Sequence, residues 1–167
     1  NFSHVASVVT TQALQWLEVD TGRLLEVTAP DNILVSGRIV NGAVASVHVA
    51  SIPWAGSAYR MEIYGREGTL VATSNDSPQL GEVRVQAAKA GNDLVDLVVP
   101  SHHIFVPEAM PPGTPYNIGQ LYALFAQAIR SSEVSPGYPD FDLAVDLHRL
   151  IDAIGTSSNR GCEVAIS

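Results

Sequence analysis

The sequence predicts an α+β domain, built as a large, mostly antiparallel open sheet with two helices packed on one face and the other face used for dimerisation. Three observations lead there. Residues 59–72, YRMEIYGREGTLVA, alternate side chains with period two on both sides of a glycine-flanked turn. Asn41-Gly42, the strongest short hairpin signal, separates two valine-rich runs. After residue 115 the apolar spacing changes to the helical period. A chain of 167 residues can bury a core as one domain, residues 1–167.

The elements follow in order. Residues 1–15 begin as a strand around Val5, Val8 and Val9. Asp31 to Val40 is a second strand, and Ala43 to Ile52 returns from Asn41-Gly42 until Pro53 ends it. A two-residue turn places Val40 opposite Ala43, Ile39 opposite Val44 and Val35 opposite His48. In the Tyr59–Thr73 hairpin, Gly68 supplies the positive φ that the turn Gly65-Arg66-Glu67-Gly68 calls for. Val83–Ala88 and Leu94–Val99 are two further strands joined through Ala90-Gly91-Asn92-Asp93. Pro100–Pro115 carries five prolines and a glycine and is a loop. Tyr116–Arg130 is helical, Asp140 caps a second helix over Phe141–Ile154, and Gly161–Ile166 is a last short strand.

With that register, Ile33, Val35, Ile39 and Val44 share one face of the hairpin, and Leu34, Val40, Val47 and Val49 the other. Both faces are then mostly apolar, which an antiparallel sheet with one wet side does not show. Two helices cover one side only, so a second copy or another domain is expected on the other. In the closing helix, Asp142, Asp146, Arg149 and Asp152 form one polar stripe and apolar residues fill more than half the circumference.

The formal net charge of −8 excludes a nucleic-acid backbone or an anionic membrane as the expected partner. No apolar run approaches the roughly 20 residues that cross a bilayer, and no signal peptide is seen. The single cysteine, Cys162, suits a reducing cytoplasm and reads as a small packing residue.

Four motifs in order carry a resemblance. They are Ala29–Val49 (APDNILVSGRIVNGAVASVHV), the hairpin Tyr59–Ala72, the segment beginning Pro115-Tyr116-Asn117-Ile118, and Pro139–Gly161 with its small-residue turn. The chain resembles the C-terminal domain of the Gfo/Idh/MocA oxidoreductases, and the first motif resembles the subgroup that includes the fungal galactose-regulon repressor. The resemblance implies that an N-terminal dinucleotide-binding (Rossmann) domain precedes this chain in a longer protein. It also implies NAD or NADP as cofactor of the whole protein, a sugar-like or polyol substrate, and a homo-dimer or higher homo-oligomer formed through a sheet face. A ligand-sensing regulator and a stand-alone dimerisation module are the rival readings.

The residues are consistent with a non-catalytic half. A dinucleotide needs a glycine-rich turn between strand and helix, and both glycine clusters, 37–42 and 65–68, fall in hairpins. No cofactor site is expected in this chain. The family's Glu-Lys-Pro lysine has no counterpart, since the one lysine is Lys89. His4 lacks the aspartate four positions earlier that the family's junction motif carries. No catalytic residue and no metal site is therefore assigned. Adjacent His102 and His103 point to opposite sides of an extended segment, Glu108 fits no zinc spacing, and His148 is a packed or interface residue. The candidate substrate contacts are His48 in mid-strand, Trp54 and Arg60 around a small-residue loop, and Tyr116 and Asn117 at a helix start. An aromatic ring beside a guanidinium suits a sugar or a carboxylate through stacking and paired hydrogen bonds.

Overall fold

The structure is a computed structural model that describes residues 1–51, 58–131 and 139–166. It is α+β, with ten strands and two helices among the described residues. Every strand pairing is antiparallel. The chain divides into two compact units, Asn1–Trp54 with Pro139–Ser167, and Ala55–Tyr138.

In the first unit β1 (Phe2–Thr10), β4 (Asn32–Ile39), β5 (Val44–Ala50) and β10 (Val164–Ala165) form one sheet in the order β10-β1-β4-β5. Helix α2 (Phe141–Arg160) packs on β1 and β10. The centre of this core is Val5, Val35 and Ala153, with Phe2, Ile33, Leu150, Ile154, Val164 and Ile166 around it. A ribbon of β2 (Gln15–Leu17) and β3 (Leu24–Glu26), turning at Gly22 with φ +68°, was not legible in the sequence. Its strands are three residues each, too short for a periodic pattern.

The hairpin at Asn41-Gly42 forms, but with a different register. The Gly42 N–H donates to the Ile39 carbonyl and the Ile39 N–H to the Ala43 carbonyl, while Gly42 sits at φ +90°. This is a three-residue loop closed by a left-handed glycine, in place of the expected two-residue turn. Val35 therefore lies opposite Val47, and His48 opposite Leu34. Because strand side chains alternate, the one-residue shift exchanges the faces of β5 relative to β4. Ile33, Val35, Val47 and Val49 now share the face that carries α2. The other face mixes Ala6, Val8, Leu34 and Val44 with Thr10, Asn32, Ser36, Arg38 and His48. It is not the second apolar face that the shorter turn implies.

Helix α2 starts as expected, with the Asp140 carboxylate accepting the Leu143 N–H at 2.8 Å. It runs six residues beyond Ile154, through the small residues expected as a turn, to a Gly161 C-cap at φ +63°. Those small residues stay helical because they bond to the sheet. Ser157 Oγ accepts the Ser7 N–H at 3.0 Å and donates to the Cys162 carbonyl at 2.8 Å. Ser158 Oγ accepts the Val9 N–H at 2.9 Å, and Ser7 Oγ donates to the Ile154 carbonyl. Strand β10 pairs only with His4 and Val5, so these hydroxyls satisfy β1 where its neighbour has ended. The other side of α2 is open: Phe141, Val145, Leu147 and Ile151 are exposed, so less of the helix is covered than its composition implies. Cys162 is exposed too, and only its carbonyl takes part in packing.

In the second unit β6 (Tyr59–Tyr64), β7 (Gly68–Ser74), β8 (Arg84–Lys89) and β9 (Val95–Asp96) form a sheet in that order. The large sheet expected from the sequence is thus present as two four-stranded sheets, one in each unit. Gly68 has no positive φ; it is required because a Cβ there would lie 2.1 Å from the Ala88 carbonyl oxygen of β8. Helix α1 (Thr114–Ser131) is pinned at its start to the preceding loops. Asn117 Nδ2 donates to the Gln79 and Gly81 carbonyls, and Gln120 Nε2 to the His103 carbonyl. His102 and His103 lie in a short 3-10 turn with ring centroids 4.1 Å apart, so they do not point to opposite sides as an extended segment requires.

Candidate functional site

The face of the first sheet away from α2 carries a shallow groove lined by Val8, Thr10, Gln12, Asn32, Leu34 and His48. Strand register builds it. Val8, Leu34 and His48 make one cross-strand row, and Thr10 and Asn32 head the next row, on the same face by alternation. His48 Nε2 lies 3.0 Å from Asn32 Oδ1, and Gln12 Nε2 donates to Thr10 Oγ1 at 3.1 Å.

Behind this row sits Asp31, 4% exposed. Its carboxylate accepts the Gln12 and Ala13 N–H groups at 2.7–3.0 Å and a side-chain hydrogen bond from Asn32. These bonds, the Ala13 N–H first and the Gln12 N–H second, hold the carboxyl below its ordinary value. With Asn32 Nδ2 turned toward Asp31, Asn32 Oδ1 is the acceptor left for His48. The imidazole then donates through Nε2 and keeps Nδ1 as an acceptor in its neutral form. Asp31, Asn32 and Gln12 were not picked out from the sequence. The signal available was Pro30-Asp31-Asn32 at a strand entry, where an aspartate capping backbone N–H groups is expected.

The other candidates have different surroundings. Arg60, on β6, is bound to Glu62 of the same strand, and Glu62 also accepts the Tyr64 hydroxyl at 2.7 Å. That hydroxyl, and then Arg60, hold the Glu62 carboxyl low, while the carboxylate raises the Tyr64 phenol. On the same face, Arg84 and Asp96 form a two-pronged pair at 2.7 and 2.9 Å. At the start of α1, Tyr116 accepts at its hydroxyl from Gln120 at 3.3 Å, and the Asn117 amide is spent on the 79–81 loop. His48 belongs to the first unit; Arg60, Tyr116 and Asn117 belong to the second. Trp54 lies outside the described residues.

The glycine pairs Gly37/Gly42 and Gly65/Gly68 both lie in antiparallel hairpins, where strand pairing already engages the backbone N–H groups. That geometry does not fit a dinucleotide pyrophosphate. Among the described residues no three His, Cys, Asp or Glu side chains come together as metal ligands, and no helix is long and apolar enough to cross a membrane.

Comparison with known proteins gives the fold a context. No family model matches the chain. An oxidoreductase of Synechocystis sp. is 30% identical over 84 residues, which cover 50% of this chain and 23% of that protein. Among solved structures, the super-repressor mutant of Gal80p from Saccharomyces cerevisiae superposes with TM-score 0.78 at 17% identity, over 100% of this chain and 45% of its own. Levoglucosan dehydrogenase in complex with NADH and L-sorbose gives 0.77 at 22%, over 100% and 46%. An oxidoreductase domain protein from Kribbella flavida gives 0.79 at 16%, again over 100% and 46%. The fold resemblance therefore extends over the whole chain, and these structural neighbours are of the Gfo/Idh/MocA oxidoreductase type. The chain spans less than half the length of the solved chains it matches, and its match covers under a quarter of the curated relative.

Proposed function

We propose that the chain is the C-terminal half of an NAD(P)-dependent oxidoreductase acting on a sugar or polyol, supplying substrate contacts and a dimer interface and no catalytic residue. In this reading a dinucleotide-binding domain makes up the remainder of the protein, which works in the cytoplasm. The observation that carries it is the fold match over the whole chain to proteins described as oxidoreductases, one of them a sugar dehydrogenase held with NADH and L-sorbose. The hairpin-bound glycines support the division of labour, because the pyrophosphate has to be held elsewhere. His48, Trp54, Arg60, Tyr116 and Asn117 remain the proposed substrate contacts. Of these, His48 is part of a groove, whereas the Asn117 side chain is committed to holding the start of α1.

A second reading, a regulator that senses its ligand without reacting, is favoured by the likeness to Gal80p. The coding sequence next to residue 1 separates the two. A strand–glycine turn–helix followed by Glu-Lys-Pro supports the enzyme, and the same turn without the lysine supports the sensor. Calorimetry on residues 1–167 with NADH tests both together. No binding is expected, and tight binding by this chain overturns the assignment of cofactor binding to another domain.

A further inference from the structure

Asp31, Asn32 and His48 line up beside an apolar floor, with Asn32 and His48 in hydrogen-bond contact and Asp31 holding the backbone behind them. We propose that the groove lined by Val8, Thr10, Gln12, Asn32, Leu34 and His48 is a binding site, within this chain alone, for a small neutral polyhydroxy molecule. The proposal deepens the sugar-or-polyol reading and rests on it for the ligand class.

The chemistry comes from the geometry. Asn32 Oδ1 lies 3.0 Å from His48 Nε2, and since an amide oxygen only accepts, the imidazole donates there through Nε2. Among the described contacts His48 Nδ1 has no partner, so it is the open acceptor of the row. Gln12 uses one N–H of Nε2 on Thr10 and keeps the other N–H and Oε1, and the Thr10 hydroxyl keeps its proton to donate. Val8 and Leu34, 57% and 51% exposed, form the floor between these groups. A polyol has an apolar C–H side and a rim of hydroxyls that both donate and accept, which suits an apolar floor edged by both acceptors and donors. An anion finds no matching charge here: the lining contains no arginine or lysine, and the neighbour of Asn32 in sequence is the Asp31 carboxylate. Asp31 also clamps the backbone at Gln12 and Ala13, so the wall of the groove is in place before a ligand arrives.

Titration of the isotope-labelled chain with myo-inositol, D-galactose and, as an anionic control, D-gluconate tests this by amide and imidazole nitrogen chemical shifts. The expected result is saturable shifts confined to residues 8–12, 32–34 and 48 with the two neutral probes, and none with gluconate. The free protein should show a His48 ring protonated at Nε2. His48→Ala, a change at an exposed position, should weaken binding about tenfold or more while β1 and α2 amides keep their shifts. Asn32→Leu keeps roughly the size of that side chain but removes the acceptor facing His48 Nε2, and should weaken binding and free the His48 tautomer together. No saturable shifts with either neutral probe, a His48 ring protonated at Nδ1, or a dimer whose contact closes over these residues would each overturn the site. None of these results depends on whether a dinucleotide-binding domain adjoins the chain, so the two proposals fail separately.

Discussion

Asp31 shows how one side chain can organise a strand entry. It ties the end of β1 to the start of β4: its own N–H donates to the Thr10 carbonyl, and its carbonyl accepts from Ser51. Its carboxylate meanwhile caps two N–H groups that follow β1. Since the folded form holds this carboxyl below its ordinary value of 3.8, the folded state binds fewer protons there than the unfolded state. The stabilisation is complete above that value and is lost as the pH falls through the lowered one. Denaturation of Asp31→Asn should therefore show lower stability at neutral pH and a flatter acid limb than the parent. Curves that run parallel below pH 4 would rule this out. An aspartate beside proline at a strand entry is visible in the sequence, but the two N–H groups its carboxylate caps are not, because they arrive from residues 12 and 13.

At the scale of elements, strand and helix periodicity fixed which segments form and left their edges open. Both hairpins, both helices and the Asp140 cap were legible, because apolar spacing and capping chemistry are local. The end of α2 was not, since Gly155-Thr156-Ser157-Ser158 reads as a turn until β1 is seen beside it. Ser157 is 1% exposed and joins helix, strand and C-terminal turn. Removing its hydroxyl leaves a buried N–H of Ser7 and the Cys162 carbonyl without that partner. Ser157→Ala should cost about 1–3 kcal/mol in urea unfolding, with m unchanged. A cost near zero would mean that water replaces the hydroxyl and that the edge of β1 is not sealed by α2. The site was less legible than the fold. His48 was picked from its place in mid-strand, whereas its partners depend on a register that the loop at Asn41-Gly42 decides.

For the whole molecule, a covering partner stays part of the proposed function, on a different footing. It no longer rests on two apolar faces of one hairpin, since the true register makes one of them mixed. It rests on one face of the second sheet, where Met61, Ile63, Leu70 and Val95 stay exposed. Sedimentation of the chain should show a reversible dimer; a monomer at every concentration would count against the oligomeric part of the proposed function. The loop that closes β4 onto β5 has a consequence for how this sequence can vary. Two residues at that tip would aim His48 toward α2, and three aim it away. Homologous chains can therefore lengthen or shorten the tip as long as the residue at 35 stays opposite the one at 47, so strand pairing and not loop length is what the facing of His48 constrains.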